Sequence, residues 1–211
     1  MPKSFVTLVD EIEQELQDSG NALWTAAEIG IQLEDAIREI SDLAPNIVRE
    51  TYEFESRIGT ASSTTAGALV DATKAQFRST DVNKVVFNST DRTWAIVTAY
   101  VSASQLTLSN DIMVSGENYS MFNRDCWSNR QLYIGDVEDY VGDDRGVVAV
   151  EYRTMKNPRQ YRSFTVEGTV LTVGIDFNPP DSRDADADVE VFVWIARRHQ
   201  VSQLTDLAGA V

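Results

Sequence analysis

A chain of 211 residues with 43% hydrophobic content can bury one large core or two small ones. Its 18 Lys and Arg against 33 Asp and Glu leave a formal charge of −15, which argues against a protein that grips phosphate backbones, since that binding runs on cations displacing counterions. The single cysteine, Cys126, excludes an intramolecular disulfide and a thiolate cluster, and no apolar run approaches the roughly 20 residues of a membrane span.

The opening MPKSFVTLVDEIEQ carries acids where a secretion signal needs an uninterrupted apolar core, so assembly in a cytoplasm is expected. Phe5, Leu8, Val9, Ile12 and Leu16 recur at helical spacing opposite Glu11, Glu13, Gln14 and Glu15, which predicts a first amphipathic helix. Asp18, Ser19, Gly20 and Asn21 supply turn chemistry. Thr25 with Glu28 three residues on is a capping box, and Trp24 and Ile29 stand at the positions of a hydrophobic staple. The second helix then carries Ile29, Leu33, Ala36, Ile37, Ile40 and Leu43 as its stripe and closes at Pro45. Leu8, Ile12, Leu16, Ile29, Leu33, Ile37 and Ile40 are expected to form one interface across the turn. NIVRETYEFESRI reads first as a helical continuation and then as a strand with Tyr52, Phe54 and Ile58 on alternate positions.

From Gly59 the composition shifts to Ser, Thr, Ala and Val. Strands are predicted at 84–89, 93–101, 105–109 and 117–122, joined by STDR, SAS and VSG turns, a spacing that suits a small barrel or sandwich. Beyond Arg124, LYIGDV, GVVAVEYR, SFTVEG, TVLTVGIDF and DVEVFVWIAR read as further strands, with TVEGTVLTV as a hairpin turning near Gly168. HQVSQLTDLAGAV keeps a faint helical pattern in Val201, Leu204 and Leu207.

Little in this chain points to catalysis. His199 is the only histidine, so no His pair is available for zinc, and no G-x-S-x-G marks a nucleophile for it; packing or an interface is its expected role. Cys126 has no histidine signature around it and reads as a small semi-buried side chain. PPDSRDADADVE gathers Asp181, Asp184, Asp186, Asp188 and Glu190, but counting from Asp184 puts Val189 and Ile195 where a calcium loop needs Gly and Glu, so a solvated loop is expected. No cofactor or metal is expected. Arg153, Arg159 and Arg162 lie among Tyr152 and Tyr161, and in so acidic a chain this basic and aromatic cluster suits a protein partner better than nucleic acid. One copy's arginines could meet the Asp184, Asp186 and Asp188 loop of the next. Trp24, Trp94, Trp127 and Trp194 are read as core, cap or interface residues before a sugar-stacking face.

The two-helix opening resembles the leading helices of head-to-tail adaptor, or head-completion, proteins of tailed phages, on Trp24, Thr25, Glu28, Ile29, Ala36, Leu43 and Pro45. The last third is similar to one version of these proteins through Ile134-Gly135-Asp136-Val137, Val150-Glu151-Tyr152, Pro158-Arg159, Phe164, Leu171 to Asp176, Pro179-Pro180 and the strand leading into His199. GTASSTTAGALVDAT and STDRTWAIVTAYVSASQLTLS resemble a β insertion of virion proteins.

The resemblance implies an α+β subunit: a helical hairpin with a connecting strand over 1–58, an inserted β module over 59–123, and a β-rich part over 124–211. It implies a non-enzymatic protein of the virion neck that forms a ring with copies of itself. The implied partners are the portal protein and a tail or second neck protein, with DNA passing through unbound. Such proteins usually carry a further helical C-terminal arm used in docking, and this sequence stops at Val211, so the portal-facing contact is expected to be shortened or to lie outside this sequence. The rival expectation is a tail or fibre module that binds a glycan or host-surface ligand.

Overall fold

The computed structural model describes residues 4–142, 146–181 and 189–199. Among them are two helices and two antiparallel β-sheets, an α+β fold.

Helix α1 spans Phe5–Glu15 and starts where the Ser4 hydroxyl accepts from Thr7 N at 3.1 Å; α2 spans Ala26–Leu43 behind the Thr25–Glu28 capping box. Gln17 and Asn21, rather than Gly20, take the left-handed backbone that reverses the chain (φ 58° and 54°). The Asp18 carboxylate accepts the N–H groups of Ala22, Leu23 and Trp24 at 2.7, 2.8 and 2.7 Å, and the Trp24 and Leu23 bonds hold its pKa below the ordinary value. It therefore serves the donors that the approach to α2 would otherwise leave open.

The seven-residue interface expected between the helices is not closed. Val9 and Ile29 are buried, but Leu16 is 49% exposed and Ile40 56%. The reason is Gly30: a Cβ there would lie 3.6 Å from the Phe5 ring, so the helices meet through a position about 100° round from Ile29. That turns part of the α2 stripe outward.

Strand β1 (Asn46–Glu53) begins directly after Pro45, so the expected helical continuation is absent; proline and the β-branched Ile47, Val48 and Thr51 favour extended backbone at once. Six short strands follow: β2 (Ile58–Thr60), β3 (Ala68–Val70), β4 (Val85–Asn88), β5 (Thr93–Ser102), β6 (Gln105–Leu108) and β7 (Asn118–Phe122). They form one sheet in the order β2-β7-β4-β5-β6-β3. Just past β2, Ser62 N donates to Val70 O at 2.7 Å, so the two edges of this sheet meet at one end and it curls around its own core. That core holds Leu69, Val86, Val97, Leu106 and Met121, all at 0% exposure, with Phe77 and Tyr119.

The remaining strands are β8 (Gln131–Tyr133), β9 (Val147–Tyr152), β10 (Tyr161–Glu167), β11 (Val170–Gly174) and β12 (Glu190–Arg197). With β1 they make the other sheet, in the order β1-β12-β9-β10-β11-β8. The hairpin read from TVEGTVLTV is β10 to β11, turning at Gly168 with φ 61°. Val191, Val193 and Ile195 are fully buried along one face of β12. By contact density the chain divides into two compact units, Met1–Val48 with Val137–Val148 and Ile195–Val211, and Arg49–Asp136 with Ala149–Trp194.

Candidate functional site

Of the three arginines singled out in the sequence only Arg162 lies in a strand, β10; Arg153 follows the end of β9 and Arg159 precedes β10. Tyr161 stands opposite Glu151 and Arg162 opposite Val150, so neighbouring residues of β10 point to opposite faces. Arg162 turns to the Val150 side, where its Nη2 donates to Gln160 Oε1 at 2.7 Å. Arg153 takes a left-handed backbone (φ 58°) and lays its guanidinium 4.8 Å above the Phe177 ring, which stacks on Tyr152. Arg159, 61% exposed, goes the other way: its guanidinium lies 6.0 Å from the Trp194 ring, and Nε is 4.0 Å from the buried Glu151. Asp184, Asp186 and Asp188 lie outside the described residues.

Around Arg159 the sheet gathers residues that the sequence did not suggest together. Trp194 meets Tyr161 (5.8 Å) and Phe192 (6.5 Å), and the Arg49 guanidinium caps Phe192 at 4.3 Å. Arg49, Phe192, Trp194, Tyr161 and Arg159 thus make a continuous strip from β1 over β12 to the start of β10 and the residues just before it, with Phe192 buried and Tyr161 57% exposed. Alternation along β12 could have flagged Phe192 with Trp194; Arg49 carried no signal, because its neighbour comes from the far end of the chain.

A buried ionic cluster sits below a polar hollow of about 460 Å³ that Tyr52, Arg78, Lys84, Asn123 and Arg124 help to line. Arg57, 1% exposed, uses all five guanidinium N–H donors: two to the Glu55 carboxylate, two to Asp81 and one to Gln76 O. Lys84 Nζ adds contacts to Glu55 (2.5 Å) and Asp81 (3.1 Å). Burial would raise the pKa of Glu55, but Arg57 and Lys84 override it and hold the carboxyl at about 2; the same contest leaves Asp81 below its ordinary value. Two cations and two anions balance, so the cluster reads as a clasp between the Glu55–Arg57 segment and the Asp81 turn. Sequence reasoning passed over it, since charged residues read locally as surface.

On the helical hairpin, Ile12, Leu16, Trp24, Ile29, Leu33 and Ala36 line an apolar groove of about 350 Å³, with Trp24 52% exposed. Leu23 and Leu43 stand out further, at 81% and 89%. His199 belongs to the end of α2: its N–H donates to Ser41 Oγ at 2.9 Å and its Nε2 lies 3.0 Å from Ala44 O, a terminal carbonyl of the helix. Cys126 is fully buried, not semi-buried, and burial pushes its thiol up to about 12, which leaves it unreactive at neutral pH.

Phe87, Trp94, Phe122 and Trp127 form an aromatic cluster, in which Trp94 and Trp127 meet edge to face, 4.4 Å apart at 79°. No helix among the described residues is long and apolar enough to cross a membrane. Compared with known proteins, the chain matches no family model, no curated protein and no solved structure.

Proposed function

We propose that this protein is a structural subunit of the tailed-phage neck: a head-to-tail adaptor that forms a ring, joins portal to tail, and carries residues 59–123 as an inserted β module. It works by contacts. The observation that supports this reading is the strip of Arg49, Phe192, Trp194, Tyr161 and Arg159, because arginines at the surface beside the partly exposed Trp194 and Tyr161, on a buried Phe192, are the composition of interface hot spots. A closed ring needs a heterologous contact, one face meeting a different face of the next copy. In a chain of net charge −15 an arginine strip has many acidic counterparts on the neighbouring subunit, and a ring of such subunits presents a negative wall along which DNA passes without sticking.

The mass of the purified assembly by light scattering tests this, at low and at high salt. Wild type is expected to form a closed oligomer that loosens as salt rises, and Arg159→Glu to shift it to smaller species while the subunit stays folded. A wild-type monomer at every salt concentration, or an Arg159→Glu oligomer identical to wild type, refutes it. The rival glycan-binding reading draws on the Phe87, Trp94, Phe122 and Trp127 cluster. A sugar ring stacks best on a flat platform, however, and the 79° angle between the two tryptophans provides none.

A further inference from the structure

Between Ser4 and Ala44 the hairpin holds ten carboxylates against one cation, Arg38. On α2, Glu28, Asp35 and Glu39 recur seven and then four residues apart, which sets them in one row beside the apolar wall of Ile29, Leu33 and Ala36. On α1 and its C-cap, Glu11 and Glu15 flank Ile12 and Leu16 in the same way. The groove is therefore an apolar trough with acids on both shoulders.

We propose that this groove is the docking site for an amphipathic helix of another protein, one that carries Lys or Arg beside its apolar stripe. The trough offers what helix-in-groove recognition uses, a line of apolar pockets along a helix of 18 residues, long enough for anchors at i, i+4, i+7 and i+11 of an incoming helix. Its shoulders select the charge of that helix. A second copy of the hairpin would bring like charge against like, and α1 and α2, the two helices among the described residues, are both acidic. The occupant accordingly comes from a different chain. This inference stands apart from the ring reading, because assembly mass reports on the ring and peptide binding reports on the groove.

The probe is a fluorescein-labelled synthetic helix of about sixteen residues with Leu at the four anchor positions and Lys on the flanks, compared with a twin carrying Glu in place of Lys. Fluorescence anisotropy is expected to show the Lys peptide binding roughly tenfold or more tightly than the Glu twin, with the gap narrowing from about 50 to about 500 mM salt. The double variant Leu16→Glu, Ala36→Glu changes two exposed positions, so circular dichroism should report an unchanged fold. Because it adds negative charge, it would strengthen a purely electrostatic attraction. A fall in affinity of roughly tenfold or more places the apolar face of the peptide in the groove. Equal binding of the two peptides, or undiminished binding to the double variant, overturns the proposal. So does a double variant whose own oligomeric mass falls, since the occupant would then be a second copy of this chain.

Discussion

Replacing Arg57 by alanine removes the centre of the buried clasp and leaves Glu55 (4% exposed) and Asp81 (0%) facing each other without their shared cation. Losing one partner of a buried pair costs roughly 3–5 kcal/mol, because the charge left behind has neither water nor counterion. Lys84, 20% exposed and within reach of both carboxylates, remains as one cation for two anions, so the lower end applies, about 3 kcal/mol. Against a total stability on the order of 5–15 kcal/mol that is a large loss. Urea unfolding at pH 7, followed by tryptophan fluorescence, measures it directly. Arg57→Lys keeps the charge but has three donors where the site uses five, and should fall between wild type and Arg57→Ala. A midpoint for Arg57→Ala equivalent to less than about 1 kcal/mol of destabilisation would refute the view of this cluster as a clasp.

The same clasp makes stability depend on acid. Glu55 has a folded pKa of about 2 against an ordinary 4.5, so its contribution is fully present above pH 4.5 and is lost as pH falls from there through 2; Asp81 acts in the same direction. The Glu55 part amounts to about 3 kcal/mol, and urea midpoints that stay flat between pH 5 and pH 3 would contradict it. Gly59→Ala probes a close approach: a Cβ there would sit 2.4 Å from Tyr119 Oη and 2.5 Å from Asp71 Oδ2, inside a network in which Tyr119 donates to Asp71 at 2.7 Å. Displacing it should cost about 1–3 kcal/mol, seen as a lower melting temperature, and an unchanged transition would mean that the site relaxes freely.

What could be read in the sequence was whatever depends on neighbours along the chain. The capping box at Thr25 and Glu28, the stop at Pro45, the strands at β4 to β7 and the glycine turn at Gly168 all act within a few residues, and each stands in the structure. Burial is a different kind of fact. Glu55, Arg57, Asp71 and Asp81 look like surface charges in sequence, and only the folded chain brings the partners that let them be enclosed. The arginine cluster shows both sides. Arg162 follows Tyr161 on β10, so alternation sends it to the face away from Tyr161, which was readable in principle; that Arg159 lies along the Tyr161 strip and that Arg49 joins it were not, because Arg159 precedes the strand and β1 and β10 are far apart in the chain. The open side of the hairpin turned on Gly30, whose missing side chain changes how two well-patterned helices meet.

Strand order carries a consequence for biosynthesis. All six strands from Ile58 to Phe122 emerge consecutively, and their sheet can close as soon as β7 has left the ribosome. The other sheet has no such freedom, because β12 lies between β1 and β9: β1 has no strand to pair with until residues 190–197 have been made. The earliest strand of the chain thus waits for the latest, at the loop-closure cost that long-range pairing imposes, and during that interval both β1 and β9 display open edges. Synthesis interrupted before Glu190 would yield a polypeptide with one finished sheet and one split in two, a species prone to pair with strangers and a natural client for chaperones.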